Sequence, residues 1–456
     1  MKIKNIEKDK KYITLPIEKC YAKTEKQNEE ETILGATVFQ HCALVAYVCN
    51  ELIAKISPII SCKLPKDISY LASLHDIGKV YPGFQYKIYS ACNMYPLGTN
   101  FRKSNDKEDG YHTSVGYSAL KNFDKLAALI ANDHHGKATK KAIDENADIY
   151  GGESWQSMRM ELVSSLIKIF PKKTIDITKY DYDLILATIV LSDWIGSSIQ
   201  NINEEIPLNI LKNEARKAVE KTNFSPLEVK RGLSFESIFS FKENALQKKM
   251  ISMIKNPGIY ILEAPMGEGK TEAALYISYK MLELGYSSGL YFALPTRLTS
   301  ECMVERVKNF VSKIDDKGLV KLIHGGSISP HFFDTNEIDW FSSKKKALLA
   351  PYGVGTIDQA LMSILRVKHN DLRKFGLTGK VIILDEVHSY DIYTGTLIVE
   401  LISALRELGS TVIILSATLN KYQCSKLIKN DSILNKKMDY PSLLYKTNTS
   451  MKLIPL

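Results

Sequence analysis

Leu71-Ala72-Ser73-Leu74-His75-Asp76-Ile77-Gly78-Lys79 runs an apolar helical turn straight into an imidazole and a carboxylate, with a glycine and a lysine close behind. Successive residues of an α-helix point about 100° apart, so His75 and Asp76 cannot ligate one ion from a single face. They can serve two neighbouring ions if Asp76 bridges them. Such a site needs more ligands, and the sequence offers them: His41 after Phe39-Gln40, His112 after Tyr111, the doublet His134-His135 before Gly136, and Asp193 after Leu191-Ser192. Five of the nine histidines thus fall in the first third of the chain, each beside an apolar helical run.

Around that stretch the hydrophobic period is helical. Val38, Cys42, Val45, Val48, Cys49, Leu52, Ile53 and Ile56 recur at helical spacing, which predicts a mostly buried helix within 33–60 that carries His41. A second helical element is expected over 68–79. His112 opens another, with Thr113 and Ser114 available as caps, and 125–132 leads into His134-His135. Further helices are expected over 162–170 and 182–199, the last holding Asp193. The stretch 81–110, with Pro82, Gly83, Pro96, Gly98, Asn105 and Gly110, reads as a long loop or lid. Residues 1 to about 32 read as a polar N-terminal arm. Beyond residue 230 the period changes: 259–262, 289–293, 381–384 and 411–415 are short apolar runs of strand type that alternate with helices. The expectation is an all-α domain over 1–230 and, over 231–456, an α/β domain whose parallel sheet is covered on both faces.

A chain of 456 residues is too long for one core, in keeping with that division. Hydrophobic content of 45% with 24% charged residues is that of a globular protein. The net charge of +9 suits a polyanionic partner, although a lysine-rich surface alone gives the same figure. The seven cysteines form no C-x-x-C pair, which reads as reduced thiols in a cytoplasmic protein. The N-terminus is charged, without the apolar core of a signal peptide, and no run approaches the length of a membrane span.

Mixed imidazole and carboxylate ligation suits a transition metal (Fe, Mn, Co, Ni or Zn) rather than Ca²⁺. A pair of such ions about 3.5–4 Å apart is suited to phosphodiester cleavage, because it activates water, stabilises the transition state and neutralises the leaving oxygen. Lys79 is a candidate for a non-bridging phosphate oxygen, with a solvated helix-end lysine as the plainer reading. At these residues the chain resembles the HD phosphohydrolase superfamily. That likeness implies His41, His75, Asp76 and Asp193 around one metal, and Asp76, His112, His134 and His135 around the other.

In the second half, Ile259-Tyr260-Ile261-Leu262 leads into Ala264-Pro265-Met266-Gly267-Glu268-Gly269-Lys270-Thr271, a strand, a tight loop and a helix start. Backbone N–H groups at such a terminus bind phosphates, Lys270 reaches the β and γ oxygens, and Thr271 ligates Mg²⁺. Ala264 stands where the strict P-loop pattern has its first glycine, a change that superfamily 2 helicases commonly accept. Val381-Ile382-Ile383-Leu384-Asp385-Glu386-Val387-His388 adds Asp385 for Mg²⁺ and Glu386 to polarise the attacking water. Ser416-Ala417-Thr418 closes a third strand; Leu294-Pro295-Thr296-Arg297 and Gly355-Thr356-Ile357-Asp358-Gln359 sit where helicases hold a sugar-phosphate backbone. Gln247 is a weaker candidate for reading adenine.

The joined halves, with Gly355-Thr356-Ile357-Asp358-Gln359-Ala360-Leu361-Met362 and Asp385-Glu386-Val387-His388-Ser389-Tyr390-Asp391, resemble the CRISPR-associated nuclease-helicases of type I systems. The resemblance implies an HD domain, a RecA-like helicase lobe, and recruitment by the crRNA-guided complex Cascade to displaced DNA. There the HD site would degrade single-stranded DNA as ATP drives translocation. The family also has a second lobe with arginine fingers. The sequence ends at Leu456 without such a motif, so the expectation is that this chain alone binds ATP, hydrolyses it poorly and does not unwind duplex DNA, whether it is a fragment, a truncated product or half of a split protein whose separate partner chain supplies that lobe. Two other readings stay open at this point: an HD nucleotide phosphohydrolase fused to a regulatory ATPase, and a DNA-binding motor remnant whose HD residues are structural.

Overall fold

Runs that are apolar on every side must be buried on every side, and two of the helices in the first half have that character. In the computed structural model, which describes residues 14–27, 31–94, 112–136, 144–172, 174–202, 206–222, 224–323, 346–367, 369–435 and 439–456, the chain forms two compact units. One comprises residues up to Lys55 together with Leu64–Phe224, the other Ile56–Lys63 and Ser225–Leu456.

The first unit opens with a hairpin, β1 (Thr24–Lys26) paired antiparallel with β2 (Thr32–Leu34), where the sequence reading has only a polar arm. Helices α1 (Val38–Lys55), α3 (Ile68–Leu74), α4 (Pro82–Ala91), α5 (His112–Leu120), α6 (Lys125–Asp133), α7 (Gly152–Ile169), α8 (Tyr182–Ser197) and α9 (Leu208–Glu220) follow. The short α2 (Pro58–Ser61) belongs to the second unit. Val38, Cys42, Val45, Val48, Cys49 and Leu52 are all fully buried, and α1 packs on α3, α8 and α9 at the centre of this unit.

Two local expectations are corrected. The helix expected to continue to Lys79 stops at Leu74; His75 caps it, Asp76 leaves the helical region at φ −118° and ψ 15°, and Ile77–Lys79 form a 3₁₀ turn. That break lets His75 and Asp76 face one set of ligands together while Asp76 also reaches the other. Residues 82–91, expected as loop, are helical because Pro82 takes the first helical position after an extended Tyr81, where its missing N–H costs nothing. The rest of the expected lid, with Pro96, Gly98, Asn105 and Gly110, lies outside the described residues.

The second unit is built on an eight-stranded sheet of order β10-β9-β3-β8-β7-β4-β6-β5. Its strands are β3 (Gly258–Glu263), β4 (Leu290–Leu294), β5 (Val320–Ile323), β6 (Tyr352–Thr356), β7 (Val381–Leu384), β8 (Thr411–Ser416), β9 (Ser442–Thr447) and β10 (Met451–Pro455). From β3 to β5 all pairings are parallel; β9 runs antiparallel to β3, and β10 antiparallel to β9. The helices are α10 (Phe235–Phe239), α11 (Ala245–Met253), α12 (Lys270–Glu283), α13 (Arg297–Ile314), α14 (Ile357–Leu361), α15 (Asn370–Leu377), α16 (Ile392–Glu407) and α17 (Lys421–Ile428). They cover both faces: Leu262, Phe292 and Ile413 join α12 and α13 in one core, while Ile261, Ile382 and Ile414 join α16 and α17 in the other. Every residue of β3, β4, β6, β7 and β8 is buried, as parallel strands between two helical layers must be.

Candidate functional site

The break after Leu74 is held by backbone contact. A Cβ on Gly78 would lie 2.0 Å from the His112 carbonyl oxygen and 2.5 Å from the Gly116 nitrogen. Only a glycine lets the 3₁₀ turn lie against α5, and that approach brings His112 to Asp76. Asp76 then divides its carboxylate. Oδ2 lies 3.0 Å from His41 Nε2 and 3.3 Å from His75 Nε2. Oδ1 lies 3.4 Å from His112 Nε2 and 3.3 Å from His134 Nε2. Asp193 Oδ1 joins the first set, 3.5 Å from His41 Nε2 and 3.6 Å from His75 Nε2, and is steadied by a 2.9 Å hydrogen bond from Ser197 Oγ. The His135 ring lies tilted against His134, centroids 4.2 Å apart, and edge-to-face with His112 at 5.0 Å, and alone among these histidines it is exposed.

Whether these groups fit metal ions is decided by how they are oriented. His75 Nδ1 lies 2.7 Å from the Ala72 carbonyl and His134 Nδ1 lies 2.9 Å from that of Ala131, so each ring donates backward and turns Nε2 inward. His75 Nε2, His112 Nε2, His134 Nε2 and Asp76 Oδ1 are buried with no hydrogen-bond partner. Buried polar atoms left in that state are costly, and ligand atoms facing a cation explain them. The groups His41, His75, Asp76, Asp193 and Asp76, His112, His134, His135 each bring one ligand atom per residue within 4.8 Å of the others. The donor set therefore fits two ions that share Asp76.

Electrostatics agree. Burial lowers His41 and His135 to about 4 and His112 to about 3, keeping them in the neutral, ligating form. His75 differs: burial opposes its cation, yet Asp76 and Asp193 outweigh that and lift it to about 10, so ligation through His75 releases a proton. Burial also works against ionised Asp76, but Lys79 and His75 hold it well below the usual carboxylate range. Lys79 Nζ sits 2.6 Å from Asp76 Oδ2 and 5.7 Å from the centre of the Phe84 ring, so in this structure its ammonium is turned onto the shared carboxylate.

The second unit gathers its polar groups at the carboxyl ends of its parallel strands, where open α/β sheets place ligands. After β3, Gly267 and Gly269 adopt φ of +84° and +73°, and Gly269 caps α12. Lys270 Nζ donates to the carbonyls of Ala264 (2.6 Å) and Pro265 (2.9 Å), folded over the loop. A cavity of about 530 Å³ is lined by Gly267, Gly269, Lys270, Thr271, Asp385 and Glu386, with Gln247, Phe241 and Arg306 at its sides. Burial, aided by Glu386, raises Asp385 to about 6. Glu386 takes a left-handed φ of +53°, a strained setting for a non-glycine residue and one common at working sites. His388 spans two strands, Nε2 at 3.2 Å from Glu386 Oε2 and Nδ1 at 3.0 Å from Ser416 Oγ.

Gln247 sits in this wall, though its amide is already engaged. Oε1 accepts from Asn244 N at 2.9 Å, and Nε2 donates to the Gly269 carbonyl at 3.0 Å. Arg306, which lines the cavity and pairs with Glu272, is a site residue the sequence reading passed over. Nothing in its local sequence marks it, because it is brought to the site by the sheet order.

Residues 21–202 match the family model of the Cas3 HD domain, and 244–426 that of the DEAD/DEAH box helicases. The CRISPR-associated endonuclease/helicase Cas3 of Thermus thermophilus is 38% identical over 231 residues, which is 45% of this chain and 25% of that one. The CRISPR-associated nuclease/helicase Cas3 of Streptococcus thermophilus is 29% identical over 437 residues, 79% of this chain and 46% of that one. Among solved structures, T. fusca Cas3 superposes with a TM-score of 0.76 at 25% identity, over 97% of this chain and 56% of that chain. A CRISPR RNA-guided surveillance complex before nicking contains a chain of the same fold, with a TM-score of 0.66 at 24% identity, over 97% of this chain and 54% of that chain. The chain thus spans a quarter to about half the length of these curated relatives.

Proposed function

We propose that this chain, which matches the Cas3 HD domain over 21–202 and the DEAD/DEAH box helicases over 244–426, is a metal-dependent nuclease of CRISPR defence that cleaves single-stranded DNA and is coupled to an ATP-driven strand-tracking module. The functional division falls near residue 230. One observation carries the nuclease reading: the two oxygens of Asp76 face two different sets of imidazoles. A mononuclear site needs no such division.

Two divalent transition metals bound there would supply Lewis acidity and an activated water for in-line attack on a phosphodiester. The chain's own part is to hold them. His41, His75, Asp76 and Asp193 take one ion and Asp76, His112, His134 and His135 the other, with Ala72 and Ala131 fixing the ring orientations through their carbonyls. Lys79 releases Asp76 to meet a non-bridging phosphate oxygen. In the helicase unit, Lys270 leaves the loop carbonyls for the β and γ phosphates of ATP. Thr271 and Asp385 hold Mg²⁺, Glu386 orients the attacking water, and Gln247 reads adenine.

A positive chain and helix-mounted basic residues suit single-stranded DNA. The relatives named above support a crRNA-guided Cascade-type complex as the recruiting partner, and with it a cytoplasmic setting. Among the described residues no helix is long and apolar enough to cross a membrane. Ile392, Tyr393 and Tyr422 are 93%, 74% and 62% exposed beside the groove between α16 and α17, a surface suited to an apolar protein face such as that of a second helicase lobe.

The experiment is cleavage of circular single-stranded DNA by the purified chain with Mn²⁺, Co²⁺, Ni²⁺, Fe²⁺ or Zn²⁺, compared with His75→Ala and Asp76→Ala. Both variants should lose cleavage by ~100-fold or more, as loss of a metal ligand or its support implies. Hydrolysis of free nucleotides with the DNA left intact would transfer the site to the phosphohydrolase reading.

A further inference from the structure

Arg159 of α7 is 0% exposed, and among the described residues it forms no ion pair. Its planar donors reach carbonyl oxygens instead: Nη1 lies 3.0 Å from those of Val80 and Tyr150, and Nη2 lies 3.0 Å from that of Glu145. Nε donates to Gln156 Oε1 at 2.9 Å. A buried cation without an anion is expensive, and an apolar side chain of similar volume would fill the space at less cost. What only a guanidinium provides is a rigid fork with enough donors to tie several carbonyls together at once.

The segments it ties are informative. Val80 directly follows Lys79 and ends the turn that sets His75 and Asp76. The neighbouring Lys79 carbonyl is held at 3.0 Å by Gln85 Nε2, so both carbonyls closing that turn are gripped by buried side chains. Glu145 and Tyr150 lie on the chain returning from His134-His135, and Glu145 is anchored at the end of α5 by Lys121 (2.9 Å) and Asn122 (3.1 Å). One side chain thus links the chain leaving the first set of ligands to the chain returning from the second.

We propose that Arg159 is a positioning residue that fixes the distance between the two metal positions sharing Asp76. This rests on the two-ion reading above. Removing the grip lets the His112, His134, His135 half drift from Asp76, whereas His41, His75 and Asp193, carried on α1, α3 and α8, keep their places.

The test uses the full chain with Mn²⁺. Bound ion per chain is measured by elemental analysis after equilibrium dialysis, spin coupling by electron paramagnetic resonance, and melting by circular dichroism, for wild type, Arg159→Lys and Arg159→Met. Wild type should bind two coupled ions. The variants should keep one, lose the coupled signal, and bind the second ~10–100-fold more weakly, the usual effect of removing an outer-shell support. Either variant binding two coupled ions with wild-type affinity would overturn the proposal. Where a variant melts lower, the rise in melting temperature on saturating Mn²⁺ is compared at its own baseline: a smaller rise than in wild type supports the assignment, and an equal one overturns it. A wild type that binds a single uncoupled ion would refute the two-ion reading itself, and Arg159 would fall with it.

Discussion

Lys380 of the second unit behaves differently from Lys79 of the first. Lys79 meets Asp76 and is held in its charged form by it. Lys380, at the start of β7, has only carbonyl partners, Leu348 at 3.0 Å and Ala350 at 2.6 Å, and burial lowers it to about 7. In the unfolded chain a lysine titrates near ~10.4. Above pH 7, therefore, the native state gives up a proton that the unfolded state retains, and stability rises with pH by up to ~1.4 kcal/mol per unit. Below pH 7 both states are charged and the contribution is flat. Thermal melts of the chain between pH 7 and 9 should show this slope, and Lys380→Met should be flatter than wild type by that amount. Equal slopes would mean that the carbonyls hold Lys380 charged.

At the scale of elements, the parts legible in the sequence were those with period and punctuation. The helix carrying His41, the change from helical to strand period, and the loop before Lys270 follow from spacing alone. The short β9 and β10 were not, since 442–447 and 451–455 are half exposed and take their pairing from β3 rather than from their own pattern. The end of the helix at Leu74 was hidden too, because Ile77 continues the apolar period and only the contact of Gly78 with α5 breaks it. Arg159 lies outside the helix expected over 162–170, and its burial depends on carbonyls far along the chain. Gln247 joins two such elements: with Asn244 it forms the capping box of α11, and with Gly269 it braces the loop before α12. Gln247→Ala should cost ~1 kcal/mol in stability through loss of its side-chain hydrogen bond from the Asn244 N–H. It should also weaken ATP binding more than GTP binding, measured by titration calorimetry. An unchanged ATP to GTP ratio would confine Gln247 to bracing the loop.

At the scale of the whole molecule, the two units keep their chemistry apart. The candidate metal ligands all come from residues 41–193, within the first unit, and the candidate nucleotide cavity is lined from 241–386, within the second. Among the described residues no side chain belongs to both. If strand cutting needs only the ions and the phosphodiester, while nucleotide serves only movement along DNA, then disabling Lys270 should separate the two. Lys270→Ala removes the cation for the β and γ phosphates and its two bonds to the loop. It should weaken ATP binding by ~10-fold or more, a charge-assisted phosphate contact being worth ~1.5–3 kcal/mol. Nicking of circular single-stranded DNA without ATP should stay within about twofold of wild type in the same metal, because the loop that holds Lys270 contributes no ligand to the histidine cluster. A folded Lys270→Ala chain that binds Mn²⁺ normally yet no longer nicks would show that the nucleotide loop acts on the metal site itself.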